Sequence, residues 1–152
     1  MLRLRPLATL ALPALALACQ PKSTTSPADE ACNDFELDVR KSWNDETRIA
    51  LRGEVMKWKG DVELEVAKSQ ATQVETTMDN FASDWVRLRK SACLDHFKRE
   101  VISAEDYQAR AACYDEVLLR QRALVQSALA GEETTIEAFT ALADAVSSCS
   151  SS

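Results

Sequence analysis

Residues 61–99 read DVELEVAKSQATQVETTMDNFASDWVRLRKSACLDHFKR. Within them Ala67, Ala71, Val74, Met78, Phe81, Trp85, Leu88 and Ala92 recur at alternating steps of four and three. A strand places every second residue on one face, whereas steps of four and three keep returning to one side of a 3.6-residue turn. The stretch is therefore predicted to form one long helix over roughly 61–99 with that stripe turned to a core. Neither glycine nor proline interrupts it.

The reading extends outward in both directions. Ser103-Ala104-Glu105-Asp106 is a helix-start signature. Behind it Tyr107, Ala111, Tyr114, Leu118, Val125 and Leu129 form a second stripe, interrupted by Gln121. Gly131 stands where a helix end wants a residue able to take positive φ. Thr134-Thr135-Ile136-Glu137 then opens a last helix carrying Phe139, Leu142, Val146 and Cys149. On the N-terminal side, Ser42-Trp43-Asn44-Asp45 resembles a capping box and could open a helix running to about Lys57, with Gly53 and Gly60 as breaking signals. Short connections between such helices predict an all-α fold: an antiparallel bundle of about four helices with one long helical hairpin, tied by disulfides. A dimeric coiled coil is the alternative use of a 4-3 stripe, but short loops favour packing within one chain.

Composition agrees. All four prolines lie in the first 27 residues, and the rest of the chain holds three glycines. A sandwich or barrel would need turn residues every 8–12 positions or so. With 24 acidic against 18 basic side chains the net charge is −6, which argues against a nucleic-acid binder. No segment repeats at a fixed period.

The first 18 residues read as an export signal. Arg3 and Arg5 precede an uncharged run, Leu7–Ala18, that is too short to span a bilayer and suits a signal-peptide core. The run ends Ala16-Leu17-Ala18-Cys19. Ala16 and Ala18 would suit ordinary cleavage, and secretion or a periplasmic location would follow. A cysteine directly after a small residue also resembles a bacterial lipobox, which would lipidate Cys19 and make it the mature N-terminus. Gln20 rather than aspartate after it favours the outer membrane. Loss of residues 1–18 leaves 16 basic against 24 acidic side chains, or −8, which suits a body held off an anionic membrane by its lipid. Residues 19–31, rich in Ser, Thr and Pro, read as a lipid-anchored flexible tether, 32–149 as the helical bundle domain, and 150–152 as a disordered tail.

With Cys19 set aside for lipid, four cysteines remain, an even number suited to an oxidising compartment. Three pairings are open. Cys93 and Cys113 are equidistant from Ser103, beside the predicted turn, and Cys32 and Cys149 bracket the helical region. The layout favours Cys93–Cys113 and Cys32–Cys149. Free buried thiols are the alternative; no C-x-x-C spacing suggests a metal.

A family resemblance overlies this pattern. Cys32, Trp43-Asn44-Asp45 and Arg48 are followed by Trp85-Val86-Arg87-Leu88-Arg89-Lys90-Ser91-Ala92-Cys93. Arg110-Ala111-Ala112-Cys113-Tyr114, Leu118–Leu124 and Ala145-Val146 with Cys149 complete the series. Together they resemble the cysteine-containing helical region between the kinase domain and the tetratricopeptide repeats of myxobacterial serine/threonine kinases, over residues 32–149. The chain departs from that pattern at Tyr114, where leucine is usual, and at Ser42. It has no G-x-G-x-x-G, H-R-D or D-F-G, so kinase activity does not follow. The resemblance implies a freestanding helical module behind a lipoprotein-type signal peptide.

Catalytic signals are weak. His96 is the single histidine, with Glu100 four residues on, a spacing that usually means a solvated surface pair. There is no H-E-x-x-H and no G-x-S-x-G. The acids of Asp61-Val62-Glu63-Leu64-Glu65 lack calcium-loop spacing and suit a helix start. No catalytic residue, metal or cofactor is expected. Arg87, Arg89, Lys90, Lys98 and Arg99 make the one basic cluster. Trp85 falls in the core stripe and Trp58 outside any stripe, so Trp58, with Arg87 and Lys90, is the expected partner contact. The functional expectation is a non-enzymatic extracytoplasmic lipoprotein whose helical module binds another envelope protein. The alternative is a small-molecule sensor or carrier with a pocket between helices.

Overall fold

The computed structural model describes residues 26–58, 63–132 and 134–150. Readings that fall on residues 1–25, the signal segment and Cys19 included, lie outside the described residues. Six helices follow in order: α1 Pro27–Ala31, α2 Phe35–Arg40, α3 Asp45–Val55, α4 Leu64–Phe97, α5 Ala104–Leu129 and α6 Ile136–Ser148. No strand occurs among the described residues. The hairpin α4–α5 is the long one expected. α6 packs on both of its arms, and α1, α2 and α3 all pack on α4.

The first three helices act as one broken stem. Asp29 meets Lys98, Cys32 meets Cys93, Phe35 meets Trp85, Trp43 meets Asp79, and Arg52 meets Glu75. Rising numbers on the stem meet falling numbers on α4, so the stem runs antiparallel to it from end to end. The bundle thus has four stems, the first split at Cys32–Asp34 and at Lys41–Asn44. Two corrections follow. The tether read over 19–31 overlaps helix from Pro27 onward. The helix expected to open at Ser42 starts at Asp45, because the Asn44 carboxamide oxygen accepts from the Thr47 N–H at 3.1 Å while Ser42 turns inward.

The other ends are set by local chemistry that was legible beforehand. Ser103 and Asp106 form a reciprocal capping box at the start of α5. Thr135 caps α6 through the Ala138 N–H. Gly131 takes φ +76°, where a Cβ would be strained.

The stripe of α4 is buried as predicted, except that Arg89 rather than Leu88 carries it forward to Ala92 and Cys93. A strict seven-residue repeat drifts around a straight helix by about 20° per heptad. An extra step of four, from Trp85 to Arg89, restores the inward face. Gln121, which interrupts the α5 stripe, is itself fully buried, and its Oε1 accepts from the Ser42 hydroxyl at 2.7 Å. Trp85 donates its indole N–H to the Tyr114 carbonyl at 2.7 Å, tying the two arms of the hairpin inside the core.

All four cysteines are bonded, but not in the expected pairs. The bonds are Cys32–Cys93, with Cα atoms 5.8 Å apart, and Cys113–Cys149, 5.6 Å apart. Equal height along two helices does not make two side chains face each other. Cys93 points from α4 toward the first stem, and Cys113 points from α5 toward α6. Each bond therefore staples an outer stem to one arm of the hairpin instead of closing the hairpin or joining the chain ends. Ser150, assigned to the tail, exchanges a 3.0 Å hydrogen bond with the Tyr114 hydroxyl.

Candidate functional site

The ends of four stems meet where α3 and α5 finish and α4 and α6 begin. They leave a cavity of about 490 Å³ lined by Glu54, Lys57, Trp58, Gln70, Ile136 and Glu137, with Gly131, Glu132, Thr134 and Thr135 completing it. Trp58, an expected partner contact, forms part of this lining. It is half-buried and stacks on Phe139, centroids 6.3 Å apart and planes 23° from parallel. Phe139 is wholly buried, so Trp58 extends the core to the cavity wall. Its indole N–H and the Thr134 hydroxyl are buried without a hydrogen-bond partner among the described residues. Neither atom has accessible surface, so neither is presented to an occupant of the cavity. Glu54, Glu132 and Glu137 outnumber Lys57 around it, and Lys57 is already paired with Glu54 at 2.7 Å. The rim is therefore acidic.

The basic cluster does not survive folding as a patch. Arg87 pairs with Asp84 and Arg99 with Asp95 on their own helix. Lys90 donates to the Asn33 side chain at 2.9 Å, and Lys98 to both Asp29 carboxylate oxygens at 2.7 and 2.9 Å. Arg89 is buried, lies over the Phe35 ring at 4.7 Å, donates to the Tyr107 hydroxyl at 3.2 Å and stands 3.7 Å from Asp115. Three of the five cations thus fasten stems together. Trp58 lies at the opposite end of the bundle from Lys90, so the three expected contact residues do not share one site.

His96 does not pair with Glu100 as an i, i+4 spacing would allow. Its ring stacks on Tyr107 at 5.0 Å, and its Nδ1 lies 3.3 Å from the Ile102 carbonyl. Trp43 is buried and donates to Asp79 at 2.8 Å; Arg48 donates to the same oxygen at 2.8 Å. No short-range signal pointed to Asp79, because its partners lie 31 and 36 residues away. Of the acidic run, residues 61 and 62 lie outside the described residues, and Glu65 pairs with Lys68. Among the described residues no group of three or more His, Cys, Asp or Glu could hold a metal ion.

Two carboxyls titrate below their ordinary range. The hydrogen bond from Lys98 lowers Asp29, and that from the Ser103 hydroxyl lowers Asp106. Both shifts belong to joints, α1 to α4 and the cap of α5, and not to the cavity.

No protein-family model, curated protein or solved structure matches the chain.

Proposed function

We propose that the chain is a non-enzymatic, lipid-anchored protein of the cell envelope that presents its Trp58 cavity to another envelope protein, as a freestanding counterpart of the kinase-linked helical region. The observation that carries this reading is where the cavity lies. The described chain begins beside Lys98, at the α4–α5 turn, whereas the cavity includes Gln70. Twenty-seven residue steps along α4 from Gln70 to Phe97 separate them by about 40 Å. An anchor at the N-terminus therefore leaves the cavity at the far end, facing away from the membrane. Both disulfides are compatible with an extracytoplasmic location, and no described helix is long and apolar enough to cross a membrane.

The acidic rim, with the half-buried Trp58 and Ile136 in the lining, suits a basic segment that carries an apolar side chain. Photo-crosslinking groups at Glu132 and Glu137 in intact cells test this, with Leu119, 60% exposed on α5, as a control. A discrete protein adduct from the cavity positions is expected, absent at Leu119 and lost in a Trp58→Ala background. Adducts of equal yield at all three positions, or none at the cavity, refute it. Intact mass tests the anchor separately: acyl chains on Cys19 are expected.

A second reading has its own observation. A cavity of about 490 Å³ falls within the range of small-ligand pockets, roughly 300–1,000 Å³. A small neutral or cationic molecule seated against Trp58 within the acidic rim would make the protein a carrier. Native mass spectrometry of the purified chain would then show a retained small molecule, released by Trp58→Ala.

A further inference from the structure

At the opposite end from the cavity, α4 finishes in Phe97, 51% exposed, and the connection to α5 carries Val101, 68% exposed. Phe97 is held outward by its neighbours. Its ring stands edge-on to His96 at 4.6 Å and to Tyr107 at 5.3 Å, and those two rings stack on each other. The path of α1 fixes where the described chain begins. Cys32 is bonded to Cys93, and Asp29 reaches Lys98, so going backward along α1 means going outward past the end of α4. Ser26, the first described residue, therefore lies at the tip that carries Phe97 and Val101.

Resting on the lipid-anchor reading, we propose that this tip lies in the interfacial region of the bilayer, with Phe97 and Val101 inserted among the headgroups. Seven residue steps join Cys19 to Ser26, which span about 25 Å at full extension. A lipid on Cys19 keeps the tip within that distance of the surface, and a tether so short gives even a small apolar contact a high effective concentration. The opposite end, where Leu64 is 58% exposed, is about 50 Å away along α4 and out of reach. Charge sets the kind of surface. Lys98 and Arg99 beside Phe97 are neutralised by Asp29 and Asp95, and Glu100 and Glu105 of the same turn are exposed. Among the described residues of the tip neither cation is left free for anionic headgroups, and the contact is apolar and independent of anionic lipid.

The test uses the full chain, processed in cells and reconstituted into phosphatidylcholine vesicles with or without brominated acyl chains. Phe97→Trp and Val101→Trp each add a reporter at the tip, and Leu64→Trp adds one at the far end. The emission added at position 97 or 101 is expected to be quenched roughly twofold by bromolipid, with that at 64 unchanged. Val101→Trp serves if Phe97→Trp disturbs the ring cluster, since Val101 is largely exposed. Equal quenching at 64 and at the tip would mean the bundle lies flat, and no quenching at the tip would mean it stands clear; either overturns the proposal. Intact mass of the same sample separates the two readings. Acylated Cys19 with an unquenched tip refutes the tip contact alone, whereas unmodified Cys19 removes the anchor and this inference with it.

Discussion

Replacing Gln121 with methionine is expected to stabilise the protein. Gln121 is wholly buried among Val117, Leu118 and Val125 on its own helix. Its Oε1 accepts from Ser42, but its Nε2 has no partner among the described residues. A buried unsatisfied donor costs about 1–3 kcal/mol, and an ordinary hydrogen bond contributes about 1. Methionine has nearly the same shape, so the exchange opens no cavity. It removes the stranded donor and breaks the Ser42 bond. Ser42 keeps an acceptor, the Val39 carbonyl at 3.2 Å, so its hydroxyl is not orphaned in turn. The balance is a gain of about 1 kcal/mol. With a urea slope of about 1–3 kcal/mol/M, the midpoint should rise by about 0.5 M, read by far-ultraviolet circular dichroism with the disulfides intact. Gln121→Ala in parallel should lose about 2 kcal/mol, because it leaves a void. A Gln121→Met protein less stable than the parent by about 1 kcal/mol or more would refute the reasoning, since Nε2 would then have to be satisfied in solution.

Two other outcomes are expected. Non-reducing proteolysis should give the linked peptides Cys32–Cys93 and Cys113–Cys149; replacing Cys113 and Cys149 by alanine should cost about 4 kcal/mol in the chain-entropy account for a separation of 36 residues. Recovery of a Cys93–Cys113 peptide would overturn the stapling described above. Acid should loosen the two joints held by depressed carboxyls: because both pKa values lie below the ordinary 3.8, their contribution is complete above that pH and is lost as pH falls through the lower folded values. Amide shifts of α1 and of the α5 cap should therefore move only below about pH 4, and Asp29→Asn should abolish the α1 change alone.

The hydrophobic period, the cap residues and Gly131 belong to neighbours within four residues, so the sequence by itself determined the helical class, the α4–α5 hairpin and the starts of α5 and α6. Asn44 was within reach of the same reasoning, because it lies two residues from the serine chosen as the cap. What the linear pattern does not encode is the direction in which a side chain leaves its helix relative to other stems. Tertiary packing decided that Cys93 faces the first stem and Cys113 faces α6, that Gln121 is a buried tie to Ser42, and that Arg89 replaces Leu88 in the core. It also turned five clustered cations into pairs and stem joints, by bringing Asp29, Asn33 and Asp115 beside them. The Trp58 cavity exists only where four helix ends converge, from residues as far apart as 54 and 137. Spacing along one helix is fixed by local geometry, whereas facing across helices depends on how whole stripes dock, and only the folded chain sets that.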